Sequence, residues 1–148
     1  MKTIFEQSTR DELIMRINNL DERNTAQWGK MNVNQMIRHC TLWEEMTQGE
    51  KKYKWSLLGR VFGRMVLKKV VKDEEPLRRN TPSIPELIVN NETGNIGTAK
   101  QHWISLIEEY EHFYNPDFMH PFFGKMTQEQ IGYLAYKHTD HHLRQFNG

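Results

Sequence analysis

The sequence predicts an all-α protein: a four-helix bundle with a long crossover connection and a short accessory helix. Three observations predict it. Apolar residues recur at helical spacing in four long segments and one shorter one. Patterns of the form Thr/Asn-x-x-Glu/Gln, which cap helix N-termini, open three of these segments. Alternating strand patterns joined by Asn-Gly or Asp-Gly turns are absent. The length of 148 residues suits a single bundle domain over 1–148, and the aromatic content of 11% argues against disorder.

The first helix is expected from about Arg10 to Leu20, capped by Thr9 with Glu12 and carrying Leu13, Ile14, Ile17 and Leu20 on one face. The second starts after Asn32 with Gln35 as its capping partner and stops at Gly49. Its apolar stripe is Met36, Cys40, Trp43 and Met46, with His39 on the edge. Residues 56–71 read as an amphipathic accessory helix, weakened by Gly59 and Gly63. A basic amphipathic helix can lie on a membrane, but the expected role here is to cover the core. Residues 73–97 hold Pro76, Pro82, Pro85, Gly94 and Gly97 and read as the crossover. A further helix is expected from Thr98 to Tyr114, burying Trp103, Leu106, Ile107, Tyr110 and Tyr114. The last runs from Thr127, with Gln130 completing its cap, to Phe146. Its stripe is Ile131, Leu134, Ala135, His138, His142 and Phe146.

The net charge of +1 gives no drive toward nucleic acid. Residues 51–79 nevertheless hold ten Lys or Arg against three acids, read as a solvated helix face, although such a stretch can also steer anions. No apolar run reaches the ~18 residues of a membrane span, so no membrane partner is expected. The single cysteine, Cys40, and an N-terminus without a signal-like apolar stretch lead to the expectation of a cytoplasmic protein. No phosphate-binding glycine loop or nucleophile elbow is present. The pairs Glu44-Glu45 and Glu108-Glu109 read as exposed charge.

The histidines carry the chemistry. His138 and His142 are four residues apart, so they point the same way, and they continue an apolar stripe. His39 lies on the core side of another helix. Neutral imidazoles offer nitrogen lone pairs, and a pair at i and i+4 with a third ring from a facing helix can hold one divalent metal ion. Three protein ligands leave a position open, the pattern of catalytic rather than structural sites. The alternative is three core histidines satisfied by hydrogen bonds. His141 is expected at the helix flank. His102, His112 and His120 fall outside the ligand set, and Cys40 is expected as a small packed residue. No side chain stands out as a general base, so no catalytic residue is assigned. The choice between an enzyme and a non-catalytic metal- or ligand-binding bundle stays open.

Two blocks carry a resemblance. Trp28-Gly29-Lys30-Met31-Asn32-Val33-Asn34-Gln35-Met36-Ile37-Arg38-His39-Cys40 is one. The other is His120-Pro121-Phe122-Phe123-Gly124-Lys125-Met126-Thr127 with the later Lys137-His138-Thr139-Asp140-His141-His142-Leu143-Arg144-Gln145-Phe146. Together they resemble the DinB-like superfamily, in a mainly bacterial branch of uncharacterised domain proteins. The resemblance implies a four-helix bundle with a long crossover, often a homodimer. It also implies a divalent ion, commonly zinc or nickel, on three histidines that map to His39, His138 and His142. Characterised relatives include transferases and isomerases that use low-molecular-weight thiols such as bacillithiol and mycothiol, which makes a thiol-dependent S-transferase acting on a small molecule the implied activity.

Overall fold

Helix α1 spans Gln7–Asn18, earlier than expected. Thr9 is inside the helix and buried, so the Thr9/Glu12 cap does not form; Glu6 is the N-cap and makes no side-chain cap bond. The start is set from outside the helix. Ile4 is fully buried and its N–H donates to the Gly132 carbonyl, while the Arg10 guanidinium donates to the carbonyls of Ile4 and Phe5. Glu12 instead pairs with Lys2 and Arg16. Leu13, Ile17 and Leu20 are sealed in the core as the spacing predicts, each burial contributing roughly 1.5–3 kcal/mol. The computed structural model describes residues 1–91 and 94–148.

Helix α2, Val33–Gln48, opens with the expected reciprocal cap between Asn32 and Gln35. It ends at Gly49, whose φ of 95° is a left-handed conformation in which a side chain would be strained. Helix α3, Leu57–Val70, is capped by Ser56. After the crossover, of which residues 92 and 93 lie outside the described residues, comes α4, Ile96–Glu108, with Asn95 as cap. It tightens into a 3-10 turn over Glu109–His112. Trp103, Leu106, Ile107 and Tyr110 are buried, but Tyr114 is exposed, contrary to expectation. The change of helical pitch and the pinning of Asn115 to the Thr47 carbonyl turn Tyr114 outward. Strands β1, Met119–His120, and β2, Gly124–Lys125, form a minimal antiparallel ribbon that the sequence did not signal. Helix α5, Gln128–Gln145, opens with the expected Thr127/Gln130 cap.

The result is an all-α helical bundle. Helices α1 and α2 each pack against both α4 and α5, which makes a four-helix cycle. Lys100 of α4 donates to the Asn18 and Leu20 carbonyls at the end of α1, where a cation is favoured. Arg16 of α1 meets Asp140 of α5 at 2.8 Å. Helix α3 stands outside the cycle. It rides on the ribbon with Gly59, Gly63 and Leu67 as its buried face. A Cβ at Gly59 or Gly63 would sit 2.3 or 2.1 Å from the Phe122 carbonyl oxygen, so the two glycines permit the close approach of two backbones. Leu67 and Val70 pack on the core at its C-terminal end, but Leu57, Leu58, Val61, Phe62 and Met65 point to solvent, so α3 covers the core only in part.

Candidate metal centre

Two capped helices present three rings to one another. The Asn32/Gln35 cap fixes the phase of α2, whose stripe of Met36, Cys40 and Trp43 is buried, and His39 lies beside it with 5% of its surface exposed. In α5, His142 is 7% exposed, and His138, one turn earlier, keeps partial exposure. Ring centroids are 5.1 Å apart for His39 and His138, 4.7 Å for His39 and His142, and 4.8 Å for His138 and His142. One nitrogen from each ring can be chosen so that all three lie within 4.8 Å of one another. Among the described residues, no further His, Cys, Asp or Glu joins that group.

The hydrogen bonds around the rings fix which nitrogen faces inward. His39 Nδ1–H donates to the Leu87 carbonyl at 2.8 Å, so Nε2 carries the lone pair. The Gln145 amide donates from Nε2 to the Trp28 carbonyl at 2.6 Å, which turns its oxygen toward His142. His142 Nδ1–H therefore donates to Gln145 Oε1 at 2.8 Å, and its Nε2 is likewise unprotonated. His138 stacks on Trp43, with centroids 4.9 Å apart and planes at 20°. Its Nδ1 is buried and has no hydrogen-bond partner among the described residues. Burial holds all three rings below the usual imidazole range, the mutual repulsion of their protonated forms adding to it at His138 and His142. All three are neutral at physiological pH, the form that binds metal.

The His39–His138 pair has the spacing of two ligands on one divalent ion. His39 Nε2 and His138 Nε2 are 3.1 Å apart. Two nitrogens each ~2.1 Å from one ion stand about 3.0 Å apart at a right angle and about 3.4 Å apart at the tetrahedral angle. Without an ion, His138 Nε2–H can satisfy only one inward lone pair, whereas an ion takes all three together. Neutral imidazoles suit zinc, nickel and similar ions rather than calcium or magnesium, which prefer oxygen.

The remaining histidines stand apart. His141 is half-buried, edge-on to Trp28 at 5.4 Å and to His142 at 5.1 Å, at the helix flank as expected. His120 is buried, and its Nδ1 accepts the Phe122 and Phe123 N–H groups at 3.1 Å each. It closes the ribbon turn, and burial pushes it down to about 3. His102 and His112 are on the surface. Cys40 is fully buried and packs its sulfur 3.8 Å from that of Met36.

Two groups that hold the rings carry no signal in the sequence pattern: the Leu87 carbonyl, which accepts from His39, and Gln145, three residues after His142, which accepts from it. The reading of Glu44-Glu45 as exposed charge is also corrected. Glu45 is buried and paired with Arg38, Lys51 and His102, which together hold it below the usual carboxylate range against the effect of burial. Glu44 is fully buried beside Tyr110, whose hydroxyl donates to Oε2 at 2.5 Å, and Thr139, whose hydroxyl lies 3.3 Å from Oε1. Burial pushes Glu44 up to about 8.

Residues 4–148 match the model of a family described as a protein of unknown function (DUF1569). No curated protein and no solved structure matches the chain.

Proposed function

The chain belongs to the DUF1569 family, and we propose that it works through a divalent metal ion, zinc or nickel, held by Nε2 of His39, Nε2 of His142 and one nitrogen of His138. The observation that carries this reading is the pair of outward Nδ1–H bonds, to Leu87 and to Gln145, which commits both rings to turn a lone pair inward. His138, whose Nδ1 has no partner among the described residues, is the ring whose tautomer the protein leaves unset. Three neutral ligands leave the ion its full charge and leave coordination positions for a small molecule.

The finer reading is a thiol-dependent S-transferase on a DinB-like bundle, as the resemblance implies. The bound ion would supply Lewis acidity that lowers the pKa of a thiol or of water. The residues' part is to hold it without charge of their own: His39 and His142 are each locked by one hydrogen bond, and Trp43 backs His138. The burial of His39 and His142 favours a second reading, a non-catalytic metal-binding bundle whose ion serves structure or sensing.

Metal content by mass spectrometry on untagged protein tests the centre. Close to one equivalent of zinc or nickel in the parent chain, lost in a His138→Ala, His142→Ala double variant, is expected. A parent chain that takes up neither ion on incubation overturns the reading. Consumption of a low-molecular-weight thiol in the presence of an alkylating electrophile by loaded parent, and not by the double variant, separates the transferase from the non-catalytic bundle.

A further inference from the structure

Helix α3 buries its glycines and exposes its hydrophobic residues. Leu57, Leu58, Val61 and Met65 are between 66% and 80% exposed, and Phe62 is 46% exposed. At 100° per residue these five cover an arc of roughly 140° on the side away from the Gly59/Gly63 contact. Contiguous exposed apolar surface of this kind marks an interaction site. The charge around it is one-sided. Residues 51–72 hold eight Lys or Arg and no Asp or Glu. Lys51 pairs with Glu45 and Lys72 with Asp73. Lys52, Lys54, Arg60, Arg64, Lys68 and Lys69 make no ion pair among the described residues, and all six are exposed.

We propose that α3, with the basic segment leading into it, docks the protein on an anionic phospholipid surface. An outward apolar arc with cations beside it is the build of a helix lying in the plane of a bilayer interface. The lysines and Arg64 reach lipid phosphates with their ends while their methylene stems follow the apolar arc. Spanning is a different matter: among the described residues no helix is long and apolar enough to cross a membrane. A second copy fits less well, because pairing two such faces opposes the unpaired cations Arg60, Arg64, Lys68 and Lys69 of one to those of the other. The expectation of no membrane partner rested on the lack of a spanning segment, which does not bear on a helix lying in the interface.

The test is co-sedimentation of the full, untagged chain with vesicles of phosphatidylglycerol mixed with phosphatidylcholine, beside vesicles of phosphatidylcholine alone. Binding to the anionic vesicles, at least tenfold weaker to the neutral ones and lost at about 0.5 M salt, is expected. Val61→Asp with Met65→Asp, and separately Arg64→Glu with Lys68→Glu, should each reduce it at least tenfold. All four positions are exposed, so an unchanged melting temperature and metal content in both variants shows that the fold is intact. Equal or absent sedimentation with the two vesicle types overturns the proposal. So does a dimer in solution that Val61→Asp with Met65→Asp breaks without any vesicle binding, which would assign the face to a second copy.

Discussion

Gln145 decides which nitrogen His142 offers. Its own orientation is set by donation to the Trp28 carbonyl, so its oxygen has one direction left to face. Replacing it by Leu removes the acceptor, frees the His142 ring to change tautomer, and should weaken zinc binding about 10- to 100-fold, the usual cost of losing such a partner. Gln145→Glu keeps the acceptor for His142 but loses the donor to the Trp28 carbonyl, so it should lose less affinity than the Leu variant. Competition with a chromogenic chelator reads both, and parent-like affinity in the Leu variant would show that Gln145 does not position the ring. At this scale the sequence was informative where a side chain repeats on a helical stripe. His39, His138 and His142 were legible because each sits on or beside an apolar stripe, and their rings do come together. The Leu87 carbonyl was not legible, since a backbone acceptor leaves no mark in residue identity. Glu44 could have been found. It lies four residues after Cys40 and next to Trp43, on the buried side of α2, but its neighbour Glu45 made the two read as solvated charge.

Helix boundaries were legible where a cap is purely local. Asn32 with Gln35, Thr127 with Gln130 and Gly49 all act as their sequence patterns indicate. Thr9 with Glu12 has the same pattern and fails, because the docking of Ile4 and the folding back of Arg10 start α1 earlier. The placement of α3 was illegible for a related reason. Helix propensity counts Gly59 and Gly63 as weaknesses, and only the ribbon, distant in sequence, shows what they are for. Gly63→Ala puts these two effects in competition. Alanine favours the helix by roughly 1 kcal/mol, but its Cβ would meet the Phe122 oxygen at 2.1 Å and the Phe123 Cα at 3.1 Å, both backbone atoms that cannot rotate away. Overpacking of this kind costs about 1–3 kcal/mol, so a net loss of stability in urea unfolding is expected. A variant as stable as the parent would mean that α3 does not lie against the ribbon at this distance.

The stability of the whole molecule should respond to pH through groups buried in opposite senses. Glu44 titrates near 4.5 in an unfolded chain and near 8 in the fold, where burial keeps it protonated. Between those values the folded state holds a proton that the unfolded state has released. Its contribution is therefore complete below about pH 4.5 and is lost as pH rises toward 8. The histidines act the other way. His39, His138 and His142 lie below 6.5 in the fold, and His120 at about 3, so below pH 6.5 the unfolded chain takes up protons that the fold excludes. His141 is also held below 6.5 by burial, and these five groups outweigh one carboxyl on the acid side, while above pH 6.5 Glu44 acts without them. The metal-free chain, kept in chelator, should thus melt highest near pH 6.5, fall steeply toward pH 5 and fall gently toward pH 8. Glu44→Gln mimics the neutral carboxyl and should flatten the alkaline limb while leaving the acid limb in place. Adding one equivalent of zinc should raise the melting temperature most above pH 6.5 and steepen the acid limb, because protons and metal compete for the same three nitrogens. An alkaline limb equally steep in Glu44→Gln would place the titrating group elsewhere in the bundle. An acid limb that zinc leaves unchanged would separate the three histidines from any metal that the chain binds.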